Sequence, residues 1–154
     1  MCPENSAENV REEDFDLTVS VNLKGTFFAS QAAGKVMIRQ KHGCIINLGS
    51  QAGFVALPTE SVYCMTKAAI SHLTKCLAIE WGKYNITVNA VAPTFIRTPG
   101  TEQALADPEF RADAQKRGLD VTPARGEALA TIVERTIATP VEALVTLKTI
   151  LGIQ

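Results

Sequence analysis

Two short apolar runs, with a long stretch of helical periodicity between them, organise the middle of this chain. Gly43-Cys44-Ile45-Ile46-Asn47-Leu48-Gly49-Ser50 is mostly apolar and ends in Gly-Ser, the pattern of a buried strand and its exit. From Ser61 to about Lys83, apolar or small residues recur at helical spacing: Val62, Met65, Ala69, Leu73, Cys76, Leu77 and Trp81. Ile86-Thr87-Val88-Asn89-Ala90-Val91-Ala92 then reads as a second strand, stopped by Pro93. A strand, a helix and a strand of these lengths predict a right-handed parallel crossover, and so an α/β fold. Beyond about Glu109 the pattern is helical only. Asp107-Pro108 is a helix start, Gly118 a stop, and Gly126 to Ala138 and Pro140 to Leu151 are further helical runs.

The chemistry falls where these elements meet. Tyr63 and Lys67 are spaced i and i+4, so on a helix both side chains leave from one face. A phenol titrates near ~10, too high to exchange protons readily at neutral pH. A neighbouring ammonium favours the phenolate and suits it to general acid or base work. Ser50 supplies a hydroxyl that can hold a carbonyl or alcohol oxygen beside that phenol, and Asn22 can anchor a water linking Lys67 to solvent. A Tyr-x-x-x-Lys pair alone is a weak signal. Its context strengthens it, because open parallel sheets collect ligand groups at the carboxyl ends of their strands. Ser50, the Pro93-Thr94-Phe95-Ile96-Arg97-Thr98 stretch and the start of the Tyr63 helix all fall there.

Residues from about Phe15 to Asp107 resemble the C-terminal part of the short-chain dehydrogenase/reductase family. The matching stretches are Val21-Asn22-Leu23-Lys24-Gly25-Thr26-Phe27, Ile45 to Ser50, Tyr63-Cys64-Met65-Thr66-Lys67-Ala68-Ala69 and Val88-Asn89-Ala90-Val91-Ala92-Pro93. The resemblance implies an NAD(P)-dependent oxidoreductase of alcohol, sugar or ketone substrates. In it Tyr63 is the general acid/base, Lys67 lowers its pKa and bonds the nicotinamide ribose, Ser50 orients the substrate, and Asn22 completes the relay. Pro93, Ile96 and Thr98 are implied to lie against the cofactor, with Ile96 and Thr98 at the nicotinamide carboxamide. Pro93-Thr94 stands where relatives usually have Pro-Gly.

Other departures bear on activity. The family begins with a strand leading into Thr-Gly-x-x-x-Gly-x-Gly, whose amides and helix N-terminus receive a pyrophosphate. These 154 residues contain no such motif. Nor do they carry the residue that selects NAD or NADP, or an Asn-Asn-Ala-Gly stretch. By the resemblance three to four strand–helix units are absent, on the order of 90 residues at about 30 per unit. The expectation is a truncated Rossmann-like parallel sheet with two recognisable strands. Residues 1–104 form the partial dinucleotide-binding part and 105–154 a helical tail. The tail's Asp107-Pro108-Glu109-Phe110, Gly118-Leu119, Gly126, Pro140 and Leu151-Gly152 resemble the C-terminal end of tricarboxylate-binding receptor proteins. A divergent or frame-altered dehydrogenase tail is the rival explanation. The function expected is relay chemistry that these residues do not perform alone. The alternative is a non-catalytic remnant acting through protein association.

Composition narrows the partners. At 46% hydrophobic and 20% charged, the chain is ordinary for one small folded domain. A net charge of −1 leaves no basic footprint for nucleic acid. No apolar run is long enough to span a bilayer and no leader pattern is present, so the cytoplasm is the expected location. Cys2, Cys44, Cys64 and Cys76 lack C-x-x-C spacing, and His42 and His72 lack ligand-spaced partners, so no metal site is expected. Cys44, Cys64 and Cys76 read instead as small buried apolar side chains. Helices over about 12–40 and 61–83, with Ala29, Ala32, Ala33, Ala68 and Ala69, resemble the family's subunit interface and predict self-association.

Overall fold

A computed structural model of the chain describes residues 5–96, 98–116, 122 and 126–138. Helix α1, Glu12–Val19, opens on Glu12, Glu13 and Asp14, which suit the positive end of the helix dipole. Arg11 just before it donates two hydrogen bonds to Asp14, at 2.8 and 3.1 Å. That contact raises the guanidinium pKa and lowers the carboxyl pKa from their usual values. The helix expected over about 12–40 is not uniform. It loosens into a π turn at Ser20–Lys24 before continuing as α2, Gly25–Gln40. Lys41, at φ 62°, closes α2 in the left-handed conformation.

Strand β1, Gly43–Leu48, follows, then helix α3, Ser61–Gly82, and strand β2, Ile86–Val91. The two strands pair in parallel from Gly43↔Ile86 to Leu48↔Val91, with α3 as the crossover. Their carboxyl ends stay tied beyond the ladder. Gly49 N–H donates to the Val91 carbonyl at 2.7 Å, and Gln51 N–H to the Pro93 carbonyl at 3.1 Å. The expected α/β architecture, a two-stranded parallel sheet with mostly helical surroundings, is therefore present.

The core sits where α2, α3 and the sheet meet. Ile86 (0% exposed), Leu77 and Val88 form its centre, and Met37, Ile38, Ile45, Leu73, Trp81 and Tyr84 pack around them. At the α2–α3 crossing the Trp81 ring lies on Gly34, where a Cβ would come within 2.5 Å of the indole. The buried stripe of α3 is Val62, Thr66, Ile70, Thr74 and Leu77, so two of its five members are threonines. Each turns its hydroxyl back on the helix: Thr66 Oγ1 donates to the Tyr63 carbonyl and Thr74 Oγ1 to that of Ile70, both at 2.8 Å. A hydroxyl bonded in this way is tolerated inside. This phase turns Met65 and Cys76 outward. Both are exposed, so Cys76 is not the buried side chain its helix position suggested.

Three further helices follow β2. Helix α4, Pro99–Ala106, has no counterpart among the sequence expectations. It begins on a reciprocal cap: Thr98 N–H donates to Thr101 Oγ1 at 2.8 Å, and Thr101 N–H to Thr98 Oγ1 at 3.3 Å. Helix α5, Pro108–Lys116, starts as expected, with Asp107 Oδ1 accepting the Glu109 N–H at 2.9 Å. The Phe110 ring meets Phe95 edge to face at 5.6 Å, joining α5 to the loop after β2. Helix α6 is Gly126–Ile137. The Gly118 stop and the Pro140 to Leu151 run lie outside the described residues. Among the described residues no helix is long and apolar enough to cross a membrane.

Candidate active site

Ser50 stands just past β1 and caps a 3-10 turn, Gln51–Gly53, its Oγ accepting the Ala52 N–H at 3.1 Å. This turn lies directly on α3. A Cβ on Gly53 would be 2.9 Å from the Lys67 carbonyl carbon and oxygen, so only glycine lets the two backbones approach this closely. The Ser50 turn therefore rests on the helical turn that carries Lys67. The bond from Gln51 to Pro93 draws the loop after β2 alongside.

Tyr63 occupies the first turn of α3, and Lys67 lies one turn further along the same face. The Lys67 Nζ is 5.6 Å from the centre of the Tyr63 ring. It donates a hydrogen bond to the Leu48 carbonyl at 3.0 Å, so the ammonium bridges α3 to the last residue of β1. Partial burial pushes the Lys67 pKa below its ordinary 10.5, because desolvation disfavours the charged form.

Asn22 sits in the middle of the π turn, a distortion frequent at functional sites. Its carbonyl accepts from Thr26 Oγ1 at 2.6 Å, and its amide Nδ2 donates to Thr66 Oγ1 at 3.1 Å. A cavity of about 380 Å3 brings Asn22 and Lys67 to one space, with Asn47, Leu48, Ser30 and Ile70 among its walls. Four consecutive residues of β1, Ile45 to Leu48, line it. Alternate strand residues face opposite ways, so the cavity runs along the strand's unpaired edge rather than over a face.

Of the other residues expected at the site, Pro93 accepts from the Gln51 N–H beside the Ser50 turn, while Ile96 and Thr98 make hydrogen bonds at the start of α4. The Ile96 carbonyl accepts from Thr101 Oγ1 at 2.6 Å, and Thr98 caps α4. Among the described residues no hydrogen bond joins Ile96 or Thr98 to Tyr63 or Lys67. Arg97, between them, lies outside the described residues. Two contributors escaped sequence reasoning. Gly53 had a faint signal, a glycine three residues past Ser50; Thr66 had none beyond its place inside the Tyr-x-x-x-Lys spacing.

A hydroxyl and an ammonium at the end of β1, with a phenol one helical turn from that ammonium, are groups that can bond the oxygens of alcohols and carbonyls.

A family model described as Enoyl-(Acyl carrier protein) reductase matches residues 1–134. The NAD-dependent glycerol dehydrogenase of Listeria innocua is 46% identical over 100 residues, covering 65% of this chain and 39% of that protein. A solved 4-hydroxyisoleucine dehydrogenase complexed with NADH superposes with a TM-score of 0.80 at 29% identity, covering 90% of this chain and 57% of that one. A gluconate 5-dehydrogenase from Burkholderia cenocepacia, in complex with NADP and tartrate, gives a TM-score of 0.67 at 32% identity over 71% of this chain and 43% of that one. The chain spans 37% to 45% of the length of the curated relatives it matches.

Proposed function

The chain belongs to the short-chain dehydrogenase/reductases, and on that premise we propose that it carries the proton-relay half of an NAD(P)-dependent oxidoreductase of alcohol, sugar or ketone substrates. The observation that carries this reading is the bridge of Lys67 between α3 and the end of β1, one turn from Tyr63 and beside the Ser50 turn. NAD or NADP, when bound, supplies or accepts the hydride. The chain's own residues handle the proton. Ser50 holds the substrate oxygen, Tyr63 gives or takes its proton, Lys67 favours the phenolate and meets the ribose, and Asn22 leads the proton towards solvent. Pro93, Ile96 and Thr98 supply the wall against the nicotinamide.

The 154 residues by themselves are expected not to turn over, because their sequence holds no Thr-Gly-x-x-x-Gly-x-Gly to receive the cofactor's phosphates. The expected result is that NADH fluorescence shows no saturable binding to the folded chain. Micromolar binding would overturn this part of the reading. The location proposed is the cytoplasm. For the tail beyond about residue 105, the family match through residue 134 favours a dehydrogenase's own ending over one of receptor origin.

A second reading, association, is favoured by the outer faces of the two long helices. Leu17, Val21 and Phe28 along α1, the π turn and α2, and Met65 and Ile79 on α3, are exposed apolar side chains. Between α2 and α3 runs a groove lined by Phe27, Lys35, Leu73, Cys76 and Trp81, among others. Exposed apolar side chains in such number on two helices suit a contact surface. Self-association through residues 12–40 and 61–83 is expected, and Phe28→Asp is expected to return the chain to a monomer in sedimentation. A wild-type chain that sediments as a monomer at tens of micromolar would contradict it.

A further inference from the structure

Strand β1 pairs with β2 along one edge, and among the described residues no strand lies on the other. Which groups face that open edge follows from the ladder. Gly49 turns its N–H to the β2 side, where it bonds the Val91 carbonyl. Backbone groups alternate sides from one residue to the next in an extended chain, so those of Leu48, Ile46 and Cys44 point to the open edge. A row of free donors and acceptors is a template for another strand.

Nothing in β1 itself discourages such pairing. Gly43-Cys44-Ile45-Ile46-Asn47-Leu48 carries no charge and no proline, and no bulge interrupts its register with β2. The Asn47 side chain is turned inward onto Thr74. Edge strands are commonly blunted by one of those devices, lysine above all. Here the lysine comes from the neighbouring helix. Lys67 Nζ donates to the Leu48 carbonyl at 3.0 Å, on the open side, and Lys67 is a wall of the cavity that runs along that edge.

We propose that Lys67 guards the open edge of β1: its ammonium occupies the outward carbonyl of Leu48 and keeps the strand of a second copy from pairing there. A strand adding at this place has to displace the ammonium or bury it against its own backbone, and burying a charge without a partner is costly. The partner excluded is another copy, because β1 is itself a short, apolar, uncharged segment of the kind that pairs edge to edge. The inference does not rest on the relay reading. It needs only the place of the lysine, and it concerns a different surface from the outer faces of the helices.

The test is Lys67→Met in the full chain, which removes the charge and keeps most of the length. Lys67→Arg keeps the charge, and Lys75→Met removes an exposed charge further along the same helix. Thioflavin T fluorescence and the infrared band of intermolecular sheet are read at one protein concentration, with the urea midpoint showing that each variant is folded. Lys67→Met is expected to gain both signals over wild type, and the other two variants to gain neither. A folded Lys67→Met that matches wild type overturns the proposal, as does an equal gain in Lys67→Arg or Lys75→Met. Should Lys67→Met fail to fold, amide exchange in the wild type decides. The Ile46 and Leu48 N–H groups are expected to exchange at rates independent of protein concentration, and protection that grows with concentration overturns the proposal.

Discussion

Tyr63→Phe is expected to lower the turnover of this chain, joined to the cofactor-holding half of a matched dehydrogenase, by about 10²–10⁴-fold, the range ascribed to a positioned general acid or base. The substitution removes one oxygen from the first turn of α3 and leaves the ring, so the 5.6 Å approach of Lys67 to the ring face survives. Ser50 would still hold the substrate oxygen, and Lys67 would still bond Leu48. Only the proton donor is lost. Tyr84→Phe is the control. That ring lies between Lys41 and Lys83, at 4.9 and 5.2 Å from the two ammonium groups, and packs on the core. Its loss of a hydroxyl is expected to leave turnover within a factor of about two, as for surface changes away from a site. A joined protein that keeps more than a tenth of its rate after Tyr63→Phe would remove the phenol from the mechanism.

The second large effect is on stability. Ile86→Ala is expected to cost about 2–5 kcal/mol, because it deletes a fully buried branched side chain from a core that cannot collapse around the gap. Ile86 opens β2, is 0% exposed and sits with Leu77 and Val88 at the centre of the only cluster that touches α2, α3 and both strands among the described residues. Small domains are stable by about 5–15 kcal/mol in total, so this one change consumes a large fraction of the margin. With two paired strands the sheet has little else to hold it. Ile137→Ala, at a side chain 58% exposed and outside the proposed association faces, is expected to stay within about 0.5 kcal/mol. Urea unfolding followed by circular dichroism measures both. Equal midpoints for Ile86→Ala and wild type would mean that the core lies elsewhere.

The strands and the crossover helix were legible because their signals are unambiguous in the sequence. Two apolar runs are bounded by glycine and proline, and β1, α3 and β2 begin where those patterns begin. The strands end slightly early, at Leu48 and Val91, because the chain leaves the ladder at Gly49 and again before Pro93. The π turn was not legible. Ser20-Val21-Asn22-Leu23-Lys24 reads as ordinary helix, and the widening depends on where Asn22 and Thr26 find partners in three dimensions. Hydropathy also hides Thr66 and Thr74. It assigns a hydroxyl to solvent, whereas a hydroxyl bonded to its own helix can occupy the core. Helix α4 was missed because its cap is a pair of threonines rather than a threonine with a glutamate or glutamine three residues on.

At the site, the pairing of Tyr63 with Lys67 follows from helical spacing alone, and the placement of Ser50 from the end of an apolar run. How Asn22 comes to bond α3 does not follow, since forty-four positions separate it from Thr66 along the chain. Likewise the glycine that lets the Ser50 turn rest on α3 shows its purpose only once the two backbones are seen to meet. Ile96 and Thr98 were assigned by resemblance, and the hydrogen bonds they make at the start of α4 had no signal in that assignment.

The most direct measurement is the wild-type leg of the turnover comparison: oxidation of NADH or NADPH with a ketone substrate, for the 154 residues alone and for the same residues joined to a cofactor-holding half. The account predicts no turnover alone and turnover when joined, the added half supplying the phosphate cradle for the proposed relay. Turnover by the 154 residues alone, or none by a folded joined protein that binds the cofactor, would contradict it.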